Sequence, residues 1–351
     1  MRWLVPSVVV VLGCGQSWQP APDLGAPDMG PACEPLAAVD LLVVVDDSPD
    51  MEEAQARFAA ALGPFLQTLE TASSVRVGLI ASDMGTGPTG ACAGGPRGRD
   101  GLLVATGDVA DAACAASYDP PWVDLVAGRG APRQAVECLF GSIGTGGCGF
   151  ERPLDATLRA VVPASATLEF AGVRGGHRDG AHAGFFREGA LLAIVMVGSE
   201  DDCSSLAEGF YDADFPSPIG ERCAARGELL RPGDEYVEAL GAVVPANRVL
   251  VAAITGAPLA PVAEQSADAF DALLEADAMQ ERLGESAGNI APACTGPGGA
   301  APPGRRIVSF ARDVAARGGL GRVESVCAET YGPFLDEVAA AIAARVAGTC
   351  G

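Results

Sequence analysis

Val39-Asp40-Leu41-Leu42-Val43-Val44-Val45-Asp46-Asp47-Ser48-Pro49-Asp50 is the stretch on which the fold turns. After Asp40 it is continuously apolar and rich in β-branched residues, as a strand buried on both faces of a parallel sheet requires. It breaks at Asp46. From there Met51, Ala54, Phe58, Leu62, Phe65 and Leu69 recur at three- and four-residue spacing, with Glu52, Glu53, Gln55 and Arg57 between them. That spacing predicts an amphipathic helix, so a buried strand, an acidic turn and a helix follow one another.

The same order repeats along the chain. Residues 75–81, 102–105, 190–197, 249–254 and 323–326 read as strands, and 133–143, 153–162, 234–244, 307–317 and 332–346 as helices. Strands alternating with helices predict a three-layer α/β domain with a doubly wound, mostly parallel sheet of the Rossmann-like kind. Residues 84–130, 163–187 and 203–230 are rich in Gly, Pro and Asp and read as long surface insertions stapled by disulfides.

Composition narrows the functions open to such a domain. The 351 residues carry a net charge of −22, and every basic residue apart from two histidines is an arginine. So acidic a chain is poorly suited to nucleic acid or anionic lipid, and a cationic or metal partner fits better. The absence of lysine removes P-loop nucleotide binding, Schiff-base chemistry and Ser-x-x-Lys acylation, and no Gly-x-Ser-x-Gly elbow offers a serine nucleophile. His177 and His182 lie in a Gly-rich segment without Cys-x-x-Cys partners, which argues against zinc and for exposed loop histidines.

Arg2 precedes an apolar run, Leu4 to Leu12, that is too short to span a bilayer but suits an export signal. Its ending, Val11-Leu12-Gly13-Cys14, resembles a bacterial lipobox, whose cysteine is acylated. The expected layout is a lipoprotein signal over 1–14 with lipidation at Cys14, a disordered Pro/Gly-rich tether over 15–32, and one domain over 33–351. That places the protein outside the cytoplasm, on the membrane of the cell envelope. Eleven cysteines less Cys14 leave an even ten, as an oxidising compartment favours. Close spacing points to Cys92 with Cys114, Cys138 with Cys148, and Cys203 with Cys223. Cys294 with Cys327 and Cys33 with Cys350 remain, the last closing the domain ends.

Ligands of open parallel sheets bind beyond the carboxyl ends of the strands, where strand order reverses. The two most buried strands end in Asp46-Asp47-Ser48-Pro49-Asp50 and Ser199-Glu200-Asp201-Asp202. If they are neighbours, carboxylates and hydroxyls converge there and their repulsion favours a divalent cation.

On these residues the chain resembles the von Willebrand factor A (VWA) domain family, in particular bacterial lipoproteins of that fold. The resemblance covers roughly residues 38–348. In the family, an Asp-x-Ser-x-Ser motif after the first strand forms a metal-ion-dependent adhesion site with a later Thr and an Asp after the fourth strand. The resemblance implies metal ligands at Asp46, Ser48 and Asp50, with Thr145 from Gly144-Thr145-Gly146-Gly147-Cys148-Gly149-Phe150-Glu151, and Glu200 or Asp201 from the later acidic run. Asp50 stands where the family has its second serine, and Ser199 where it has an aspartate. One position gains an acid while the other loses one, an exchange that leans towards Ca²⁺ over Mg²⁺. The implied activity is binding of a protein or cell-surface ligand through the cation, without catalysis.

Two rivals remain. One is a metal-free scaffold of the same fold, in which the acids merely complement the first helix's N-terminus. The other is an aspartate-based phosphohydrolase with Asp46 as nucleophile, which departs from its type at Ser48 and in having no lysine. An EF-hand fails, because its sixth loop position would be Met51 and its twelfth Arg57.

Overall fold

A computed structural model describes residues 35–71, 74–87, 90, 98–105, 119–170, 172–259, 265–284 and 289–348. Cys14, Cys33, Cys92, Cys114 and Cys350 lie outside them, together with the expected signal, the tether and two of the expected cysteine pairs.

The first half of the chain runs β1 (Ala38–Val45), α1 (Glu52–Leu69), β2 (Ser74–Ala81), β3 (Val123–Asp124), α2 (Gly130–Gly141), α3 (Pro153–Val161) and the small hairpin β4 (Glu169–Phe170) and β5 (Val173–Arg174). Then come β6 (Leu191–Val197), α4 (Ile219–Ala225), α5 (Gly233–Gly241), β7 (Val249–Thr255) and α6 (Ala267–Glu275). A second hairpin, β8 (Cys294–Gly296) and β9 (Gly299–Ala301), precedes α7 (Arg305–Ala316), β10 (Leu320–Ser325) and α8 (Gly332–Val346). The main sheet has the order β10-β7-β6-β1-β2-β3, parallel except for β3.

Side-chain alternation builds the layers. Val39, Leu41, Val43 and Val45 of β1 pack with Phe58, Leu62 and Phe65 of α1 and Leu335, Val338 and Ile342 of α8. Leu42 and Val44 point the other way, into a core with α3, α5, α6 and α7. β6 and β7 divide their side chains in the same way, so apolar residues at every position serve two cores at once. Helices therefore cover both faces of a mostly parallel sheet.

From β1 the chain goes to β2 on one side, and later builds β6, β7 and β10 on the other. The reversal leaves a crevice between the carboxyl ends of β1 and β6.

The insertions are more structured than their composition implies. Residues 203–230 carry a third apolar cluster, with Phe150, Phe210, Tyr211 and Leu230, and the Cys203–Cys223 disulfide. The buried Arg222 guanidinium lies over the rings of Phe150 and Phe215 and donates to the carbonyls of Phe210, Asp212 and Ser217. Cys294–Cys327 joins the second hairpin to the segment after β10, and Cys138 and Cys148 are each disulfide-bonded. These bonds fit an oxidising, exported environment. Among the described residues no helix is long and apolar enough to cross a membrane.

Three expectations need correction. Residues 102–105 form no strand; Val104 donates one backbone bond to Leu79, and the regular neighbour of β2 is β3. The 163–187 segment contains no cysteine and is held by Arg159, which donates to the carbonyls of Arg174 and Gly175 and pairs with Asp100. His182 is fully buried rather than exposed. Its Nε2 accepts from the Leu103 N–H at 3.0 Å, which leaves Nδ1 to donate to the Ala160 carbonyl at 3.1 Å.

Burial pushes the His182 imidazole down to about 4. Neutral His182 therefore contributes stability that is complete above its unfolded value of about 6.5 and is lost as pH falls towards 4, by up to about 3 kcal/mol. Denaturant titrations at pH 7 and pH 4.5 check this: His182→Gln, which cannot titrate, is expected to lose less stability on acidification than the wild type.

Candidate metal centre

Val45 and Val197 are register partners, so the chain leaves both central strands at the same level. The Asp46 N–H donates to the Val197 carbonyl at 2.9 Å, extending the pairing one residue. The buried Asp46 carboxylate then bridges the strand ends. Oδ1 accepts from the Ser48 N–H at 2.9 Å and Oδ2 from the Ser199 N–H at 3.0 Å. Ser48 Oγ and Ser199 Oγ in turn donate to the two oxygens of Asp50, at 2.6 and 3.0 Å. Gly198 permits this approach, since a Cβ there would lie 3.2 Å from the Asp46 side chain. Gln55 of α1 donates to the carbonyls of Asp46 and Gly144, both at 2.8 Å, and so fixes the 144–151 loop against the strand end.

The second acidic run divides its three residues among three tasks. Glu200 faces the crevice; burial, then the charges of Asp46 and Asp50, push its carboxyl up to about 8. Asp201, expected as a ligand, turns away instead and caps α7, accepting from the N–H groups of Arg306 at 2.9 Å and Ile307 at 3.2 Å. Free N–H groups at a helix start attract such an anion. Asp202 accepts from the Leu154 N–H at 3.0 Å and pairs with Arg306 at 3.1 Å. Thr145 is half-buried in its loop, and the small cavity beside Asp46 is lined by other residues.

That cavity, about 10 Å³ and the size of one water or ion, lies under the crevice and is lined in part by Asp46, Ser82, Glu151 and Glu200. Glu151, Ser82 and Asp47 were missed as site residues. Burial, then above all the nearby Asp46, pushes the Glu151 carboxyl well up. Burial and Asp83 raise Asp47 to about 7, against the pull of Arg99, whose Nε lies 3.4 Å from its Oδ2. Glu151 closes the loop that also holds Thr145, and nothing but its charge marks it in the sequence.

Among the described residues, none of Asp46, Asp50, Glu151 and Glu200 forms a salt bridge. Carboxylates and hydroxyls are the hard oxygen donors that Ca²⁺ and Mg²⁺ take, so the donor set fits a divalent cation. Among the same residues no three His, Cys, Asp or Glu side chains form a ready metal-holding group, so the hydroxyls belong to any such set.

No protein-family model and no curated protein matches the chain. Among solved structures it is similar to the open conformation of the pilus adhesin SpaC from Lactobacillus rhamnosus GG, at 17% identity and a TM-score of 0.24, over 50% of this chain and 16% of that one. It is also similar to proximal thread matrix protein 1 from the mussel byssus, at 9% identity and a TM-score of 0.23, over 64% of this chain and 38% of that one. The chain thus spans well under half of either structure, and at these scores neither likeness carries an argument about the site.

The division of labour in the acidic run is testable. Asp201→Ala is expected to cost about 1–2 kcal/mol of stability, the usual worth of a helix cap, while leaving any cation response intact. Chemical denaturation with and without CaCl2 measures both.

Proposed function

We propose that the protein is an exported binding module of the doubly wound, von Willebrand factor A type. It takes a divalent cation in the crevice between β1 and β6 and uses it to dock a protein or cell-surface ligand. The observation that carries this reading is the convergence of Asp46, Ser48, Asp50 and Ser199 on one point where strand order reverses. Asp46, Ser48 and Asp50 would hold the ion, with Ser199, just beyond β6, completing the donor set. The extra carboxylates favour Ca²⁺, which tolerates irregular shells, over Mg²⁺, which needs a near-octahedral one. An ion bound at this mouth would draw an acidic group of the partner by charge, a function that breaks no bond.

The setting belongs to the same proposal. Disulfides support export, and the lipobox-like ending at Cys14 supports anchoring to a membrane of the cell envelope. The metal-free scaffold draws on one observation, that backbone N–H groups already satisfy one lone pair on each Asp46 oxygen.

Thermal unfolding separates the readings. Millimolar CaCl2 at about 100 times its dissociation constant is expected to add about 2.7 kcal/mol, a shift of roughly 5 °C, relative to EDTA. Asp46→Asn is expected to lose that shift. Identical melting in Ca²⁺, Mg²⁺ and EDTA would favour the scaffold.

A further inference from the structure

We propose that the protein has a second binding site at the opposite end of the sheet, a pocket lined by Arg178 and Arg248 that takes a small organic carboxylate with an apolar body. The site is independent of the cation reading, since it lies at the amino ends of strands whose carboxyl ends lead to Asp46 and Ser199.

Its place follows from the sheet. Asp40 lies near the start of β1, Arg187 to Ala190 lead into β6, and Arg248 immediately precedes β7, so three neighbouring strands begin around one cleft. The cleft holds about 460 Å³, within the range of ordinary small-molecule sites. Phe186, Leu192, Val244 and Pro245 supply apolar surface in it.

The charges decide what it takes. Arginines of this acidic chain as a rule sit against carboxylates. Arg187 follows that rule: its N–H and Nε bond both Asp40 oxygens, and its remaining nitrogens donate to Ser74 and to the Val39 carbonyl. Arg178 and Arg248 do not follow it. The Arg178 guanidinium lies over the Phe186 ring, 5.1 Å from its centroid, and reaches only the Val161 carbonyl, at 3.5 Å. The half-buried Arg248 guanidinium has neither a hydrogen bond nor an ion pair among the described residues. A Cβ on Gly189 would lie 3.9 Å from its Nη1, which sets it against the turn before β6. Glu188 also lines the pocket, but it is exposed. With Asp40 cancelled by Arg187, two guanidiniums face this one solvated carboxylate, an excess of one positive charge.

One charge in excess suits a monoanion better than a phosphate dianion. A carboxylate matches the planar fork of a guanidinium, and the apolar surface beside it suits a hydrocarbon body. The field of the whole protein repels anions at long range, so recognition is by contact inside the pocket.

The test is calorimetric titration of the full chain in EDTA with sodium hexanoate, its neutral isostere hexanamide and inorganic phosphate, for wild type, Arg248→Gln and Arg178→Gln, with melting measured alongside. Hexanoate is expected to bind the wild type at least about tenfold more tightly than hexanamide or phosphate, and each substitution to weaken it at least about tenfold, the worth of a hydrogen bond to a charged group. Without ligand, Arg248→Gln is expected to melt no lower than wild type, because its guanidinium holds no group among the described residues. Equal binding of hexanamide reduces the pocket to an apolar cleft, and equal binding of phosphate reduces it to a general anion site; either overturns the proposal. So do wild-type hexanoate affinity in Arg248→Gln, a lower melting temperature of that variant without ligand, and absence of hexanoate binding. None of these outcomes bears on the cation reading, because EDTA keeps the ion out of every titration.

Discussion

The Asp46 carboxylate, clamped between the Ser48 and Ser199 N–H groups, is the interaction on which the upper end of this domain depends. It requires β1 and β6 to be parallel neighbours in register, because only then do the two chains turn away from the sheet at one level. It is suited by Gly198, since a Cβ there would lie in tight contact, 3.2 Å, with the Asp46 side chain. It also sets the position of Asp50, whose two oxygens collect the hydroxyls of the same two serines. The carboxylate is held by dipoles, with no positive charge against it among the described residues. A negative charge fixed in a buried site in this way attracts a proton or a cation.

Positive charge begins at Arg152, the neighbour of Glu151 in the chain, in a different arrangement. Arg152, Arg231 and Arg306 interleave with Asp155, Asp202 and Tyr236 in a buried network behind the crevice. With no lysine in the chain, all of this pairing uses planar guanidinium groups, which also lie over Tyr211, Phe170 and Tyr236. The network pulls Asp202 out of the acidic run, and the N-terminus of α7 pulls out Asp201. Left at the crevice are Asp46, Asp50, Glu151 and Glu200, none of them with an arginine among the described residues. A neutralised acid cluster and an unneutralised one thus lie side by side.

How far this could be read from the chain depended on whether the signal was local. The β1 and β6 strands and α1 were legible, since a strand buried on both faces has to be continuously apolar and α1 carries its own periodicity. That the two strands are neighbours entered the sequence reading only as a condition; the structure meets it and brings Ser199 beside Asp46 and Asp50. What failed depended on tertiary partners. Residues 102–105 are apolar enough for a strand but meet β2 through one backbone bond; His182 sits in a Gly-rich stretch that folds inward onto α3; Asp201 and Asp202 look alike in sequence and are separated only by where α7 and α3 begin. Glu151 gave no signal beyond its charge, because its importance comes from Ser82 and Asp46, both far away along the chain.

Anomalous diffraction from crystals soaked in MnCl2, an ion of similar oxygen preference, tests the central claim most directly. The account predicts one strong peak within bonding reach of the Asp46 carboxylate, between the ends of β1 and β6. A peak confined to surface acids, or none near Asp46, would contradict it and leave the crevice as a hydrogen-bonded joint of the scaffold.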